Sequence, residues 1–89
     1  MNEKIKKRHE EIVDAQNAIW AMYKDFLSDH DMAEYNRKRV DLISKYKEKG
    51  DEQLANFCYG IIFNWTPIIM SFGEEFRLQD KCAGGKQDG

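Results

Sequence analysis

The residue types that carry most protein chemistry are thinly spread along this 89-residue chain. His9 and His30 are far apart, and neither lies within a helical turn of Cys58 or Cys82. Zinc needs about four converging nitrogen, sulfur or oxygen ligands, and nucleophilic catalysis needs a nucleophile held beside a base. The spacing pairs none of Ser44, Ser71 and Cys58 with either histidine, and no glycine-rich phosphate loop occurs. The sequence therefore predicts a protein that is not an enzyme.

Carboxylates provide one arrangement that could hold a divalent cation. Glu11 and Asp14 stand three residues apart, a spacing that puts both carboxylates on one face of a helix. The pair resembles one half of the pattern in helical nucleotide pyrophosphatases, in which two acidic pairs on facing helices hold magnesium. The second half is missing, because Glu74 and Glu75 are followed at the next turn by Arg77. We therefore predict a solvated acidic face, with no metal and no cofactor.

A basic cluster in the middle of the chain could bind phosphate groups. Its candidate residues for nucleic-acid binding are Arg37, Lys38, Arg39, Lys45 and Lys49. A helix-turn-helix interpretation fails, because the helix that follows Gly50 begins with Asp51 and Glu52, whose charges repel phosphate. A regulatory nucleic-acid-binding protein that uses the basic face of the second helix remains the alternative function.

The first element that must position these groups is a long amphipathic helix, predicted over residues 3–28. Its apolar residues follow a strict seven-residue repeat, completed by further residues at helical spacing: Ile5, Ile12, Ile19 and Phe26, with Ala15, Met22 and Tyr23. A second line, one position farther round, consists of Val13, Trp20 and Leu27. Two parallel lines make the apolar face wider than one packed neighbour requires.

The second helix is predicted between two capping signals. Asp31 is an N-cap residue with Glu34 three positions later, as in a capping box. Gly50 is a left-handed C-cap, preceded by lysines that suit the negative end of the helix dipole. The apolar residues between these caps are few, so we expect a surface helix with its basic side in water.

The third helix is predicted to start at the N-cap residue Asp51 and to form the centre of the protein. It is apolar nearly all round from Phe57 to Phe72, which indicates a buried helix, and we expect Trp65 to be buried in it. Pro67 should kink this helix or divide it into two near residues 64–66. Residues 79–89 are predicted to form a disordered tail.

The expected cellular location is inferred from two signals that the sequence lacks, a membrane-spanning helix and a signal peptide. The apolar stretch from Phe57 to Phe72 is interrupted by Pro67 and is shorter than the roughly 20 residues of a spanning helix. The N-terminus has no apolar core of a signal peptide. Cys58 is interpreted as a small buried hydrophobe and Cys82 as an exposed thiol. We therefore expect a cytoplasmic protein that does not enter a membrane.

Composition and pattern together define the fold class and the favoured function. With 42% hydrophobic and 34% charged residues and a net charge of -2, the chain is typical of a small globular protein. We predict an all-α fold, a small antiparallel three-helix bundle over residues 1–78, or four helices if Pro67 divides the last. A core of this size is marginal alone. The favoured function is a non-enzymatic protein-protein interaction module, a homodimer or a binder of another protein, with Val13, Trp20 and Leu27 as interface candidates.

Overall fold

The computed structural model describes the backbone of residues 2–88 and the side chains of residues 2–79. It confirms the all-α prediction with three helices, α1 (Glu3–Asp29), α2 (Met32–Glu48) and α3 (Glu52–Asp88). The disordered tail predicted at 79–89 lies, apart from its first residue, outside the described side chains, and so does Cys82. Both of those predictions therefore stay predictions.

Local polar contacts fix the turn between α1 and α2. His30 takes the left-handed conformation at φ 57°, and its N–H donates to the Phe26 carbonyl at 2.9 Å. The Asp31 carboxylate caps α2 by accepting the Glu34 N–H at 3.0 Å, as predicted. The capping box is only half formed, because the Asp31 N–H donates instead to the Asp29 carboxylate at 2.8 Å.

The turn between α2 and α3 is a Schellman motif that leads directly into the next N-cap. Gly50 has φ 77°, and its N–H donates to the Lys47 carbonyl while the Asp51 N–H donates to the Tyr46 carbonyl. Asp51 then caps α3 by accepting the Leu54 N–H at 3.1 Å. Both boundaries agree with the sequence prediction, because the chemistry of these turns is local.

The three helices alternate in direction, so α1 and α3 run parallel and α2 runs antiparallel to both. Arg8 near the start of α1 binds Asp51 at the start of α3, and Phe26 meets Phe76 near the far end. The described core is wholly apolar and draws on all three helices: Ala15, Ile19, Met22, Phe26, Tyr35, Tyr46, Leu54, Ala55, Cys58, Ile62 and Ile69. The first line of α1 therefore packs as predicted, except that Ile5 is exposed because α1 overhangs the start of α3.

The prediction that α3 is a buried central helix is wrong. Its core residues occupy one side, while Tyr59, Phe63, Ile68 and Met70 are exposed. Trp65, expected in the core, is only partly buried. The physical reason is geometric: in a bundle of three helices each helix packs against two neighbours, so part of its circumference always faces solvent.

Pro67 does not divide the last helix, so the four-helix alternative is wrong. α3 continues through Pro67 as one element. A proline inside a helix removes the N–H that would bind the carbonyl four residues back, here that of Phe63. Phe63 and Pro67 both lie on the exposed side, where water can reach that carbonyl. In the same turn, the Thr66 hydroxyl donates to the Ile62 carbonyl at 2.9 Å.

Two glycines give opposite predictions for the same substitution. At Gly60, in the middle of α3, an added Cβ meets nothing within 4 Å, so Gly60→Ala should raise the free energy of unfolding by about 0.5–1 kcal/mol. At Gly50, φ +77° is strained for any other residue, so Gly50→Ala should lower it by about 1 kcal/mol. Urea denaturation of both variants measures this. Equal effects at the two positions would contradict the assigned backbone conformations.

Candidate interaction surface

The second apolar line of α1 remains at the surface of the folded chain. Val13 is 38% exposed, Trp20 50% and Leu27 38%. The same helix buries Ala15, Ile19, Met22 and Phe26 against its neighbours, so packing within one chain buries the first line and leaves the second partly exposed. An exposed tryptophan between two aliphatic side chains on one flank is an arrangement that suits contact with another protein.

Aromatic rings extend this apolar surface from α1 across to α3. The Trp65 ring lies 4.5 Å from the Tyr23 ring and 6.3 Å from the Trp20 ring, measured between centroids. Ile68, one turn beyond Trp65, is 44% exposed. A shallow groove between the helices has as its lining Gln16, Asn17, Ile19, Trp20, Ile61 and Trp65. We call the surface formed by Val13, Trp20, Leu27, Trp65 and Ile68 the α1–α3 face.

An ion pair fixes the alignment of the two helices that form this face. The Arg8 guanidinium donates to both Asp51 carboxylate oxygens, at 2.8 and 3.2 Å. It also donates to the Gln53 side chain at 3.3 Å. The Arg8 guanidinium, together with the Leu54 N–H, holds the pKa of the Asp51 carboxyl below its ordinary value. A single carboxylate thus caps α3 and ties it to α1.

Aromatic stacking holds the opposite end of the same pair of helices. The His30 ring lies parallel to the Phe76 ring, with 3.8 Å between centroids and 3° between planes. Phe26 meets Phe76 edge-on at 5.5 Å. Tyr23 and Phe72 extend this contact toward the middle of the bundle at 6.3 Å. The two helices that form the α1–α3 face are therefore in contact at both ends of the face.

The basic residues proposed for nucleic-acid binding are largely engaged within the chain. Arg37 binds Glu34 and Asp41 on its own helix. Lys38 reaches across to α1, where its Nζ donates to the Asp25 carboxylate at 2.9 Å. These carboxylates lie among the basic groups and reduce the positive potential that a phosphate backbone would meet.

The remaining basic candidates also contact other side chains of the same chain. The Arg39 side chain donates to the Asn36 amide oxygen at 3.1 Å. Lys45 and Lys49 lie over the Tyr46 ring, with Nζ 5.4 and 5.8 Å from its centroid. The structure places four of the five candidates on α2 and the fifth, Lys49, at its C-cap, and it surrounds them with carboxylate, amide and aromatic partners.

Among the side chains of residues 2–79, the groups with catalytic potential do not converge. Cys58 is fully buried, and burial raises the pKa of its thiol, which disfavours the reactive thiolate. Among the described residues, no group of three or more histidine, cysteine or acidic side chains is placed to hold a metal ion. In the same part of the chain every buried side-chain polar atom has a hydrogen-bond partner.

One exposed apolar set on α3 was not expected from the sequence, which predicts this helix to be buried. Tyr59, Phe63 and Met70 lie outside the core, away from Trp65. A signal for this exposure was present in the sequence. α2 contributes few apolar residues, so α1 and α2 together cannot cover a helix that is apolar nearly all round.

Comparisons with protein-family models, with curated proteins and with solved structures gave no match to this chain. Within the described residues, none of the helices combines the length and the apolar character needed to cross a bilayer.

The ion pair at the start of α3 predicts a pH-dependent contribution to stability. Because the folded-state pKa of Asp51 is lowered, the stabilisation is complete above the ordinary aspartate pKa of about 4 and is lost as pH falls through the lowered value. Asp51→Asn keeps a capping oxygen but removes the charge, so the variant should be less stable at pH 7 and approach wild type in acid. Urea midpoints across the pH range measure this.

The matched control for this prediction is the same substitution in an Arg8→Gln background. There the guanidinium that lowers the pKa is absent, so the pH dependence of the difference should shrink. A difference between wild type and Asp51→Asn that stays constant from neutral pH into acid would contradict the assigned ion pair.

Proposed function

We propose that this chain is a non-enzymatic, cytoplasmic protein-protein interaction module that forms a homodimer through its α1–α3 face. The observation that carries the proposal is the exposure of Trp20, 50% in the isolated chain, at the centre of an apolar line. Tryptophan is enriched among residues that dominate binding energy at interfaces. The unpaired, buried thiol of Cys58 fits a reducing compartment.

The spacing of the α1 line suits pairing with its own copy. Val13 and Leu27 stand seven residues before and after Trp20. An antiparallel two-fold pairing centred on Trp20 therefore places the two tryptophans together and sets Val13 of each copy opposite Leu27 of the other. Most soluble homo-oligomers are closed and two-fold symmetric, and residues that repeat every seven positions suit a helix-helix seam.

The polar neighbours of this line tolerate such a pairing. In the same antiparallel arrangement Lys24 of one copy falls opposite Gln16 of the other, so no like charges meet beside Trp20. The α3 edge of the face adds Ile68 and the partly buried Trp65. Covering these groups would add apolar burial to a small core.

The alternative, regulatory nucleic-acid binding by α2, has less support from the geometry. Arg37 and Lys38 bind carboxylates of the chain itself. Phosphate contacts would have to replace these intramolecular pairs before any counterion release could favour binding. No contact of the described residues favours this alternative over self-association.

The proposed dimer predicts that Trp20→Glu weakens self-association by about 2 kcal/mol or more, because a charge would be placed at the centre of an apolar contact. Light scattering after size exclusion, over a micromolar dilution series, measures the mass. The wild-type mass should exceed the 10.5 kDa of one chain, and Trp20→Glu should lower it at equal concentration.

The matched control is Val40→Glu, which changes an exposed apolar residue on α2, away from the α1–α3 face. Its mass should equal that of wild type, and circular dichroism should show that both variants remain helical. A wild-type mass of 10.5 kDa at every concentration would mean that the homodimer proposal is wrong.

A further inference from the structure

The most exposed large apolar side chains of the described residues lie together on α3. Phe63 is 65% exposed, Met70 61% and Tyr59 57%, each more than Trp20. The Tyr59 and Phe63 rings stack with 6.3 Å between centroids. Phe63 lies about 160° round the helix from Trp65, since two residues advance an α-helix by roughly 200°. This surface is therefore separate from the α1–α3 face.

The spacing along this surface is that of a helix-helix seam. Exposed residues follow one another by steps of four and three along α3, beginning with an acid and ending with a base: Glu52, Asn56, Tyr59, Phe63, Thr66, Met70 and, one heptad later, Arg77. Alternating steps of three and four keep side chains on the narrow stripe that packs knobs into holes against another helix. We call this set the α3 stripe.

The charges at its two ends indicate what covers the α3 stripe. In an antiparallel pairing that sets Tyr59 against Met70 of a second copy, the same register sets Glu52 against Arg77 and Phe63 against Thr66. Glu52 of each copy then lies opposite Arg77 of the other, so the two-fold symmetry places one pair of opposite charges at each end of the contact. A parallel pairing would instead put like charges together at both ends, which is destabilising.

We propose that the α3 stripe is a second self-association face, on which α3 of another copy packs antiparallel in this register. It goes beyond the α1–α3 homodimer and does not depend on it. The two faces lie on different flanks of α3. A chain that uses both therefore forms an assembly larger than a dimer. The charged ends of the α3 stripe fix the register, while its apolar centre provides the burial.

Mass measurements on single and double variants separate the two faces. Trp20→Glu should leave a dimer held by the α3 stripe, about twice 10.5 kDa, and Phe63→Glu should leave a dimer held by the α1–α3 face. Trp20→Glu/Phe63→Glu should be a folded monomer by circular dichroism. The control Ile5→Glu changes an exposed apolar residue on neither face, and it should keep the wild-type mass.

The outcomes of these measurements have different meanings for the two proposals. If Trp20→Glu has the monomer mass throughout the dilution series, the α3 stripe does not self-associate and the present inference is wrong. If Phe63→Glu has the monomer mass, the α1–α3 dimer is wrong while the α3 stripe stands. A wild-type dimer whose mass responds only to Trp20→Glu also overturns the α3 stripe.

A charge exchange in the Trp20→Glu background tests the register itself. Glu52→Arg and Arg77→Glu should each raise the dimer Kd about three- to tenfold, because each makes both end pairs repulsive. Combining them should return the Kd to within about twofold of the parent. The combination still lacks the Glu74–Arg77 pair within the helix, so its recovery reports only the contact between copies. A combined variant whose dimer Kd is as high as that of the single variants would overturn the antiparallel register.

Discussion

Each helix of a three-helix bundle can pack against only two others, and this limit determines which apolar residues are buried and which are exposed. α1 and α2 have polar faces to turn toward water, but α3 carries apolar residues on nearly every side. The core can take only the side that includes Leu54, Cys58 and Ile62. The remaining apolar residues of α3 must lie at the surface, whatever the detail of the packing.

The way in which α1 and α3 are held together decides which apolar residues share a surface. Asp51 caps α3 and binds Arg8, so the start of α3 is fixed to the early part of α1. Stacking of His30 and Phe76 fixes the other end. With both ends held, the central aromatic rings of the two helices form a continuous face. A slip of one turn between the helices would break the ion pair and separate Trp20 from Trp65.

The charges on α2 also have a structural role. Lys38 joins α2 to α1 through Asp25, and Arg37 joins two carboxylates of its own helix. These pairs are solvent-exposed and individually weak, yet they give α2 an outer face of mixed charge. The exposed apolar residues of α1 and α3 therefore lie on other flanks of the bundle than the charged face of α2, and those flanks carry the proposed contacts.

The sequence by itself determined the two turns that separate the three helices, because caps and turns depend on contacts within a few residues. Asp31, Gly50 and Asp51 act where their residue types predicted. It also determined the buried line of α1, since a seven-residue repeat specifies one face of one helix. Only the tertiary structure decided how much of α3 is buried and whether Val13, Trp20 and Leu27 remain open. Burial depends on how many neighbours a helix has and on which side they lie, and no local pattern contains that information.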